Sequence, residues 1–559
     1  MNKTINVGGE NFIRLRQSGS YYVDKTEIIY DLFHNANNSV SVFTRPRRFG
    51  KTLMLSMISS FFDIDKKEYR NAFDGLKIRN HEAFCQENMN QYPVLFVSLK
   101  DAQGLHFESA FAMLKFIISD LCTEHSELEN HPAVIAADAE IFHRLKHRTA
   151  SEEEIQNSLK TIMRMMYSVY GKPVILLIDE YDVPLAKANA NGYYREMLDV
   201  IQGIMSTSLK TNDYLKSAVI TGCLRIPKES IFTGVNNFAS YSVLDNRFSE
   251  YFGFTSEEVD QLLNHFNLSD KADTIRQWYD GYLFGNTHVY CPWDIVNYVS
   301  DLLYNLDCKP KSYWGNTSGN EVVGSFFDLP GINVSGKFER LLNDGTIQQT
   351  INNAATYNTV YESEENLWSL LLMTGYVTPV NSCNSGKERK NEISLRIPNR
   401  EIADIFQKTV VTHFKKTVSS SKIRQLMDAL WNGNDVKASD SLSDLLWNTI
   451  SYMDYSEDYY HAFLTGIFVG RGGYSVQSNK EQGLGRPDID LRDRPNRRAI
   501  IIEAKRSDSR ERMEYWCDQA LKQIDEKEYT KDLDGYRKIL RYGISFRKKE
   551  ALVKGETAV

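Results

Sequence analysis

Val40-Ser-Val-Phe-Thr-Arg45-Pro-Arg-Arg-Phe-Gly50-Lys51-Thr52-Leu53 decides how the first part of this chain is read. A short apolar run ends in a loop closed by Gly-Lys-Thr, after which Leu53, Met54, Met57, Ile58 and Phe61 recur at helical spacing. Strand, loop and helix in that order make an anion site. Backbone N–H groups at the helix start cradle phosphates, Lys51 reaches the β- and γ-phosphates, and the Thr52 hydroxyl takes Mg²⁺. The usual spacing puts glycine five residues before Gly50, where this chain has Arg45. Gly-Lys-Thr alone is therefore a weak signal, and the reading needs a second motif.

Pro173-Val-Ile-Leu-Leu-Ile178-Asp179-Glu180 supplies it. The continuous apolar run reads as a buried strand of a parallel sheet, and such sheets bind ligands beyond the carboxyl ends of their strands. Asp179 is placed to hold Mg²⁺ through water, and Glu180 to orient the attacking water as general base. A buried strand that merely ends in solvated acids is the bland alternative. The two motifs together favour a site for ATP and Mg²⁺.

The rest of the chain bounds the answer. At 559 residues it is too long for one core, so two or three domains are expected. A net charge of -7 gives no global attraction to nucleic acid, so such contact must use a local patch. Seven cysteines without a Cys-x-x-Cys pair fit a reducing compartment. The first ten residues lack a signal peptide's apolar core, and no apolar run approaches the ~20 residues that span a bilayer. These features predict a soluble, cytoplasmic chain with no membrane association.

Tyr92–Leu99 and Ser217–Gly222 read as two more buried strands beside Val40–Phe43 and Val174–Ile178. Helix-length segments separate them, which argues for a parallel α/β sheet. From about residue 226 the pattern turns polar and helical, with aromatic pieces such as Trp278-Tyr-Asp-Gly-Tyr282 and Tyr290-Cys-Pro-Trp-Asp294. Aromatics beside Gly and Pro are expected to pin irregular loops to a core rather than stack bases. Leu367–Thr374 reads as a buried helix capped by Gly375, Ser382–Asn391 as an exposed loop, and Ile393–Ile397 as a strand.

Chemistry returns near the C-terminus. Gly485-Arg-Pro-Asp488-Ile-Asp490-Leu491 and Ala499-Ile-Ile-Ile-Glu503-Ala-Lys505 flank a polar turn. Side chains alternate along a strand, so Asp488 and Asp490 share one face of their strand, and Glu503 and Lys505 likewise share one face of theirs. Antiparallel pairing across the turn brings Asp488 near Glu503 and Lys505. Two carboxylates and an amine so placed can hold Mg²⁺ or Mn²⁺ and polarise water for attack on phosphorus. A salt-bridged hairpin is the alternative, but it does not explain acids at the ends of apolar strands.

This segment resembles the PD-(D/E)XK nuclease superfamily. The resemblance implies Asp488 and Glu503 as metal ligands and Lys505 as the residue beside the attacking water. It also implies Glu457 as an upstream acid supporting the metal and Gln519 as a polar helix residue near the site, with Asp490 shaping rather than ligating. Residues 483–549 carry about five more basic than acidic side chains, enough to meet phosphates locally.

The chain as a whole resembles a bacterial family that joins an AAA-ATPase-like domain to a C-terminal PD-(D/E)XK nuclease-like domain. The words that carry this are Tyr22-Val-Asp-Lys-Thr26, Arg45-Pro-Arg-Arg-Phe-Gly-Lys-Thr52, Leu177-Ile-Asp-Glu-Tyr-Asp182, Gly222-Cys-Leu-Arg225, Phe252-Gly-Phe-Thr255, Trp278–Tyr282, Ile397-Pro-Asn-Arg-Glu401 and Gly485-Arg-Pro-Asp488. In that family the Arg-Pro-Arg-Arg-Phe form of the loop is usual, which implicates Arg48 and Phe49 beside Gly50, Lys51 and Thr52. Thr221 is placed like a γ-phosphate sensor. Arg225 reads that phosphate in its own site or, in a homo-oligomer, a neighbour's, or else it caps a local turn.

The expected architecture is α/β. It comprises a P-loop NTPase parallel sheet with helices on both faces (1–225), a mainly helical connecting region (226–445) and a PD-(D/E)XK nuclease-like domain (446–559). The expected function is ATP binding and hydrolysis coupled to Mg²⁺-dependent cleavage of nucleic acid, with DNA the first candidate. The alternative is an ATP-dependent switch or scaffold whose C-terminal domain binds nucleic acid without cutting it.

Overall fold

A computed structural model describes residues 4–34, 39–224, 231–232, 238–316, 335–342, 345–352, 355–380, 392–417, 420–449, 457–468, 474–477, 485, 487–533 and 535–558. They form two compact units, residues 1–318 with 348–401, and residues 319–347 with 402–559. The division falls inside the helix Arg400–Thr417, whereas the sequence reading divided the chain after residues 225 and 445.

The first unit is built on five parallel strands, β1 (Val40–Thr44), β2 (Val94–Ser98), β3 (Val174–Asp179), β4 (Leu215–Gly222) and β5 (Phe238–Tyr241), in the order β2-β3-β4-β1-β5. Val40, Val42, Leu95, Val97, Leu176, Ile178, Ala218 and Ile220 join one core with the helices Phe107–Glu124, Ser158–Tyr170 and Tyr194–Leu209. The alternate residues Phe43, Ile175, Leu177 and Val219 are buried too. Both faces of the sheet are therefore covered, which is why these strands read as unbroken apolar runs. Because β4 lies between β1 and β3, the parallel arrangement brings the phosphate loop, Asp179 and Thr221 to one edge of the sheet.

The parts of the middle region that belong to this unit, within 238–316 and 355–401, pack into it through their aromatics. Phe43 meets Phe252, Phe49 meets Tyr282 and Phe284, and the buried Trp314 meets Tyr376. The pinning role expected of these rings is what the packing displays. Short strands β6 (Tyr282–Phe284) and β7 (Thr287–Val289) form a hairpin, and β8 (Ile347–Thr350), β9 (Thr378–Pro379) and β10 (Glu392–Arg396) a small sheet. The helix Glu364–Thr374 ends on a left-handed Gly375, as its sequence signalled. The expected loop at 382–391 lies outside the described residues.

The second unit holds a mixed sheet ordered β11 (Ser475–Gln477), β12 (Ile489–Asp493), β13 (Arg498–Arg506), β14 (Lys538–Arg547) and β15 (Glu550–Ala558). Its core joins Ile489, Leu491, Ile500, Ile502 and Ala504 to helix residues such as Leu430, Leu446, Phe463 and Ile467. Among the described residues no helix is long and apolar enough to cross a membrane.

Candidate functional site

The phosphate loop leaves β1 at Thr44 and re-enters regular structure at Lys51, with Gly50 left-handed at φ 84. Arg45, which occupies the expected glycine position, does not crowd the loop. Its guanidinium donates to the Thr44 and Tyr241 carbonyls at 2.9 Å and lies over the rings of Phe252 and Phe284. The side chain thus ties the loop to β5. Full burial pushes its pKa down to about 9.

Lys51 is buried. Its Nζ donates to the carbonyls of Arg45 and Pro46 at 3.1 Å, approaches Cys223 Sγ at 3.4 Å and lies 3.7 Å from Glu180. Burial opposes the ammonium, but Cys223, Glu180, Asp179 and Asp182 together hold its pKa above the ordinary range. The Thr52 hydroxyl donates to Asp179 Oδ2 at 2.6 Å, and the Thr221 hydroxyl to Asp179 Oδ1. Burial raises the Asp179 pKa, partly offset by these two donors. Glu180 follows in the left-handed region at φ 53, an unfavourable backbone state that swings its carboxylate toward Lys51 instead of along the strand.

Two clefts adjoin here. One, ≈ 320 Å³, runs from the phosphate loop to Tyr21, Val23, Phe254 and Trp293. The other, ≈ 550 Å³, lies between Thr52, Asp179, Glu180 and the half-buried Phe96 and Ser98 of β2. Arg47 and Glu180 border both. Arg48 stacks over Trp293, 4.1 Å from the ring centre, inside the first cleft. The Phe49 ring is buried against Tyr282 and Phe284 and anchors the loop, and the residue also lines the first cleft. Arg225 lies outside the described residues.

The donor set fits a hydrated Mg²⁺: one hydroxyl and one carboxylate already in contact, with Glu180 beyond them. Thr52 and Asp179 are the residues that would hold it.

In the second unit, strand register fixes the geometry. Ile489 pairs with Ile502 in antiparallel sense as the last rung of the ladder, so Asp488, the residue just before β12, comes up beside the Glu503–Ala504 segment. Asp488 Oδ2 accepts from the Ala504 N–H at 2.7 Å. Lys505 Nζ lies 3.3 Å from Glu503 Oε1, confirming that those two share a face. Glu503 is buried, and its Oε2 has no hydrogen-bond partner among the described residues. Burial, then the charge of Asp488, raises the Glu503 pKa to about 8 against the opposing pull of Lys505. A buried carboxylate with one open oxygen, next to a second carboxylate, is a donor set that a hard divalent cation fits. Asp490 is buried and ion-paired with Arg492 at 2.7 Å, which leaves Asp488 and Glu503 as the pair that would hold the ion.

The supporting residues differ from expectation. Gln523, not Gln519, donates to Glu503 Oε1. Gln519 sits one turn earlier on the helix Met513–Glu526, half-buried and without a hydrogen bond to a described residue. On the helix Glu457–Phe468, His461 Nε2 bonds the Asp488 carbonyl at 3.0 Å. The Glu457 side chain is outside the described part. Sequence reasoning missed Gln523, His461 and Arg47. The signals were present: Gln523 repeats Gln519 at i+4, His461 repeats Glu457 at i+4, and Arg47 lies inside the loop.

Comparison with known proteins finds a family match for each of the two domains. Residues 6–232 match the model of a family described as predicted AAA-ATPase, and residues 455–556 match one of the PD-(D/E)XK nuclease superfamily. The chain pairs an AAA-ATPase-like domain with a PD-(D/E)XK nuclease-like domain. A protein of Azotobacter chroococcum mcd 1, described as an uncharacterized protein in the vnfD 5′ region, is 25% identical over 407 residues, covering 72% of this chain and 68% of that one. The AAA-ATPase-like match ends nine residues before the last parallel strand, β5, closes, and the nuclease-like match spans β11 to β15.

Proposed function

We propose that the first domain binds and hydrolyses ATP and that the second cleaves phosphodiester bonds of nucleic acid, both with a divalent cation. The observation that carries the proposal is the pairing of Thr52, Asp179 and Glu180 around Lys51 in one unit with Asp488, Glu503 and Lys505 in the other.

In the first site, Lys51 and the N–H groups of the loop neutralise phosphate charge, and Glu180 takes the proton of the attacking water. Lys51 now bonds Arg45 and Pro46, so phosphate binding exchanges those carbonyls for phosphate oxygens. Thr221 holds Asp179 from the side opposite Thr52. Thr52 and Asp179 would hold Mg²⁺, which would supply positive charge to offset that of the β- and γ-phosphates. In the second site, Lys505 orients the water that attacks phosphorus, and Gln523 fixes the rotamer of Glu503. Mg²⁺ or Mn²⁺ is the cation of choice, with DNA the first substrate to try.

The test measures ATP turnover by the full chain, and Mg²⁺- and Mn²⁺-dependent cleavage of DNA and RNA by the same preparation. Both activities support the proposal. ATP turnover with nucleic-acid binding but no cleavage supports the switch or scaffold alternative instead. Absence of nucleotide binding overturns the first half.

A further inference from the structure

We infer that Asp182 and Tyr357 form a positioning clamp that sets the loop after β4 against the phosphate-binding lysine; this rests on the first domain being an ATPase. Asp182 stands two residues after Glu180 and would ordinarily rank as the next candidate for the base. The structure gives it other work. Its carboxylate accepts from the Cys223 N–H at 3.2 and 3.1 Å and from the Leu224 N–H at 2.9 Å. The Tyr357 hydroxyl then donates to Asp182 Oδ2 at 2.8 Å, across 175 residues of sequence. With three donors on two buried oxygens, Asp182 is not available to take a proton from water.

The consequence runs to the phosphate site. Cys223 presents Sγ to Lys51 Nζ at 3.4 Å, and Thr221, two residues earlier, donates to Asp179. Tyr181 reinforces the same joint: its N–H donates to the Thr221 carbonyl at 3.1 Å and its hydroxyl to the Leu224 carbonyl at 2.7 Å. The two segments approach so closely that a Cβ on Gly222 would meet the Tyr181 ring at 2.5 Å and Asp182 Oδ1 at 2.6 Å. Tyr357 packs against the core of the parallel sheet, so the outermost member of the clamp is held by a segment from the far end of the unit. Asp182 and Tyr357 are positioning residues, acting through Thr221, Cys223 and Lys51.

The experiment compares wild type with Tyr357→Phe, which removes one hydroxyl and keeps the ring. Nucleotide affinity and melting temperature should stay at wild-type values while kcat falls about five- to tenfold, the scale of one hydrogen bond. Amide exchange at Cys223 and Leu224 should accelerate in the variant, because Asp182 loses the donor that fixes it. Asp182→Ala, which removes the acceptor of both backbone N–H groups, should do more of both. Unchanged exchange at 223–224 in both variants overturns the clamp, as does a kcat for Tyr357→Phe equal to that of active wild type. Wild type that does not hydrolyse ATP refutes the proposed function instead, and the exchange arm still decides the clamp.

Discussion

The two candidate sites each place a lysine beside carboxylates at the end of a buried strand, yet they assemble it differently. In the first, Lys51 comes from a helix start and the acids from another strand, and the parallel order β3-β4-β1 lets loops meet at one edge. In the second, Lys505 and Glu503 ride on one strand, and antiparallel register delivers Asp488. The first acid, Asp179, is stabilised by hydroxyls. The second, Glu503, faces another carboxylate and is held near neutrality. Loop-built sites tolerate rearrangement around a ligand, whereas a ladder-built site is fixed by register: shifting one residue would turn Glu503 and Lys505 into the core.

The largest expected effects separate the sites outright. Lys51→Ala should abolish ATP binding or turnover and leave metal-dependent cleavage measurable. Glu503→Ala should abolish cleavage, lower nucleic-acid binding less, and leave ATP turnover intact. Parallel assays on one preparation of each variant check this. Cleavage that survives Glu503→Ala assigns the activity elsewhere. Loss of both activities in either variant, with the fold kept, would show that the two sites are coupled and break the comparison as drawn.

Next in size is Glu180→Gln, which should retain ATP but slow hydrolysis by roughly 10²-fold or more, the scale of general-base catalysis. Turnover at the parent rate would place the base elsewhere, and the clamp already engages Asp182.

How much of this the sequence disclosed follows the same division. β1 to β4 were legible because strands buried on both faces leave unbroken apolar runs. The β12–β13 hairpin was legible because alternation and a polar turn specify register, and Asp493 closes that turn through Asn496 and Arg498. β5 was not, being four half-buried residues in a polar stretch. The attachment of residues 238–316 to the first unit was not either, since pairs such as Phe43–Phe252 and Phe49–Tyr282 join distant segments that no local pattern links. Gln519 and Gln523 share one helix face, and only the axial offset of the helix decides which reaches Glu503.

That offset gives a smaller test. Gln523→Ala should cost about tenfold in cleavage or in metal affinity, as loss of an outer partner of a metal ligand does. Gln519→Ala should be near neutral. The reverse order would mean the helix Met513–Glu526 shifts by a turn when the site is engaged.

A last test, read in stability and not in activity, comes from a third acid pair, which sharpens what the lysines do in the other two. Asp294 and Glu401 are both fully buried in the first unit, and Glu401 Oε1 accepts from the Trp314 N–H at 2.7 Å. Burial, then the charge of Glu401, pushes the Asp294 pKa well above the carboxylate range, and burial also raises Glu401. Two buried carboxylates cannot both stay ionised side by side, and neither Asp294 oxygen has a hydrogen-bond donor among the described residues, so the expectation is that Asp294 keeps its proton in the folded state. In the unfolded chain Asp294 ionises near pH ~4. Above that pH the folded state binds more protons than the unfolded one, so stability from this pair falls as pH rises toward the folded value. Asp294→Asn keeps the donor and removes the titration. The variant should therefore gain on wild type as pH climbs above ~4, by at most about 1.4 kcal/mol per pH unit for one proton. Denaturant melts of both proteins across that window measure the difference. A gap that narrows or stays constant with rising pH would mean no proton is held between the two acids.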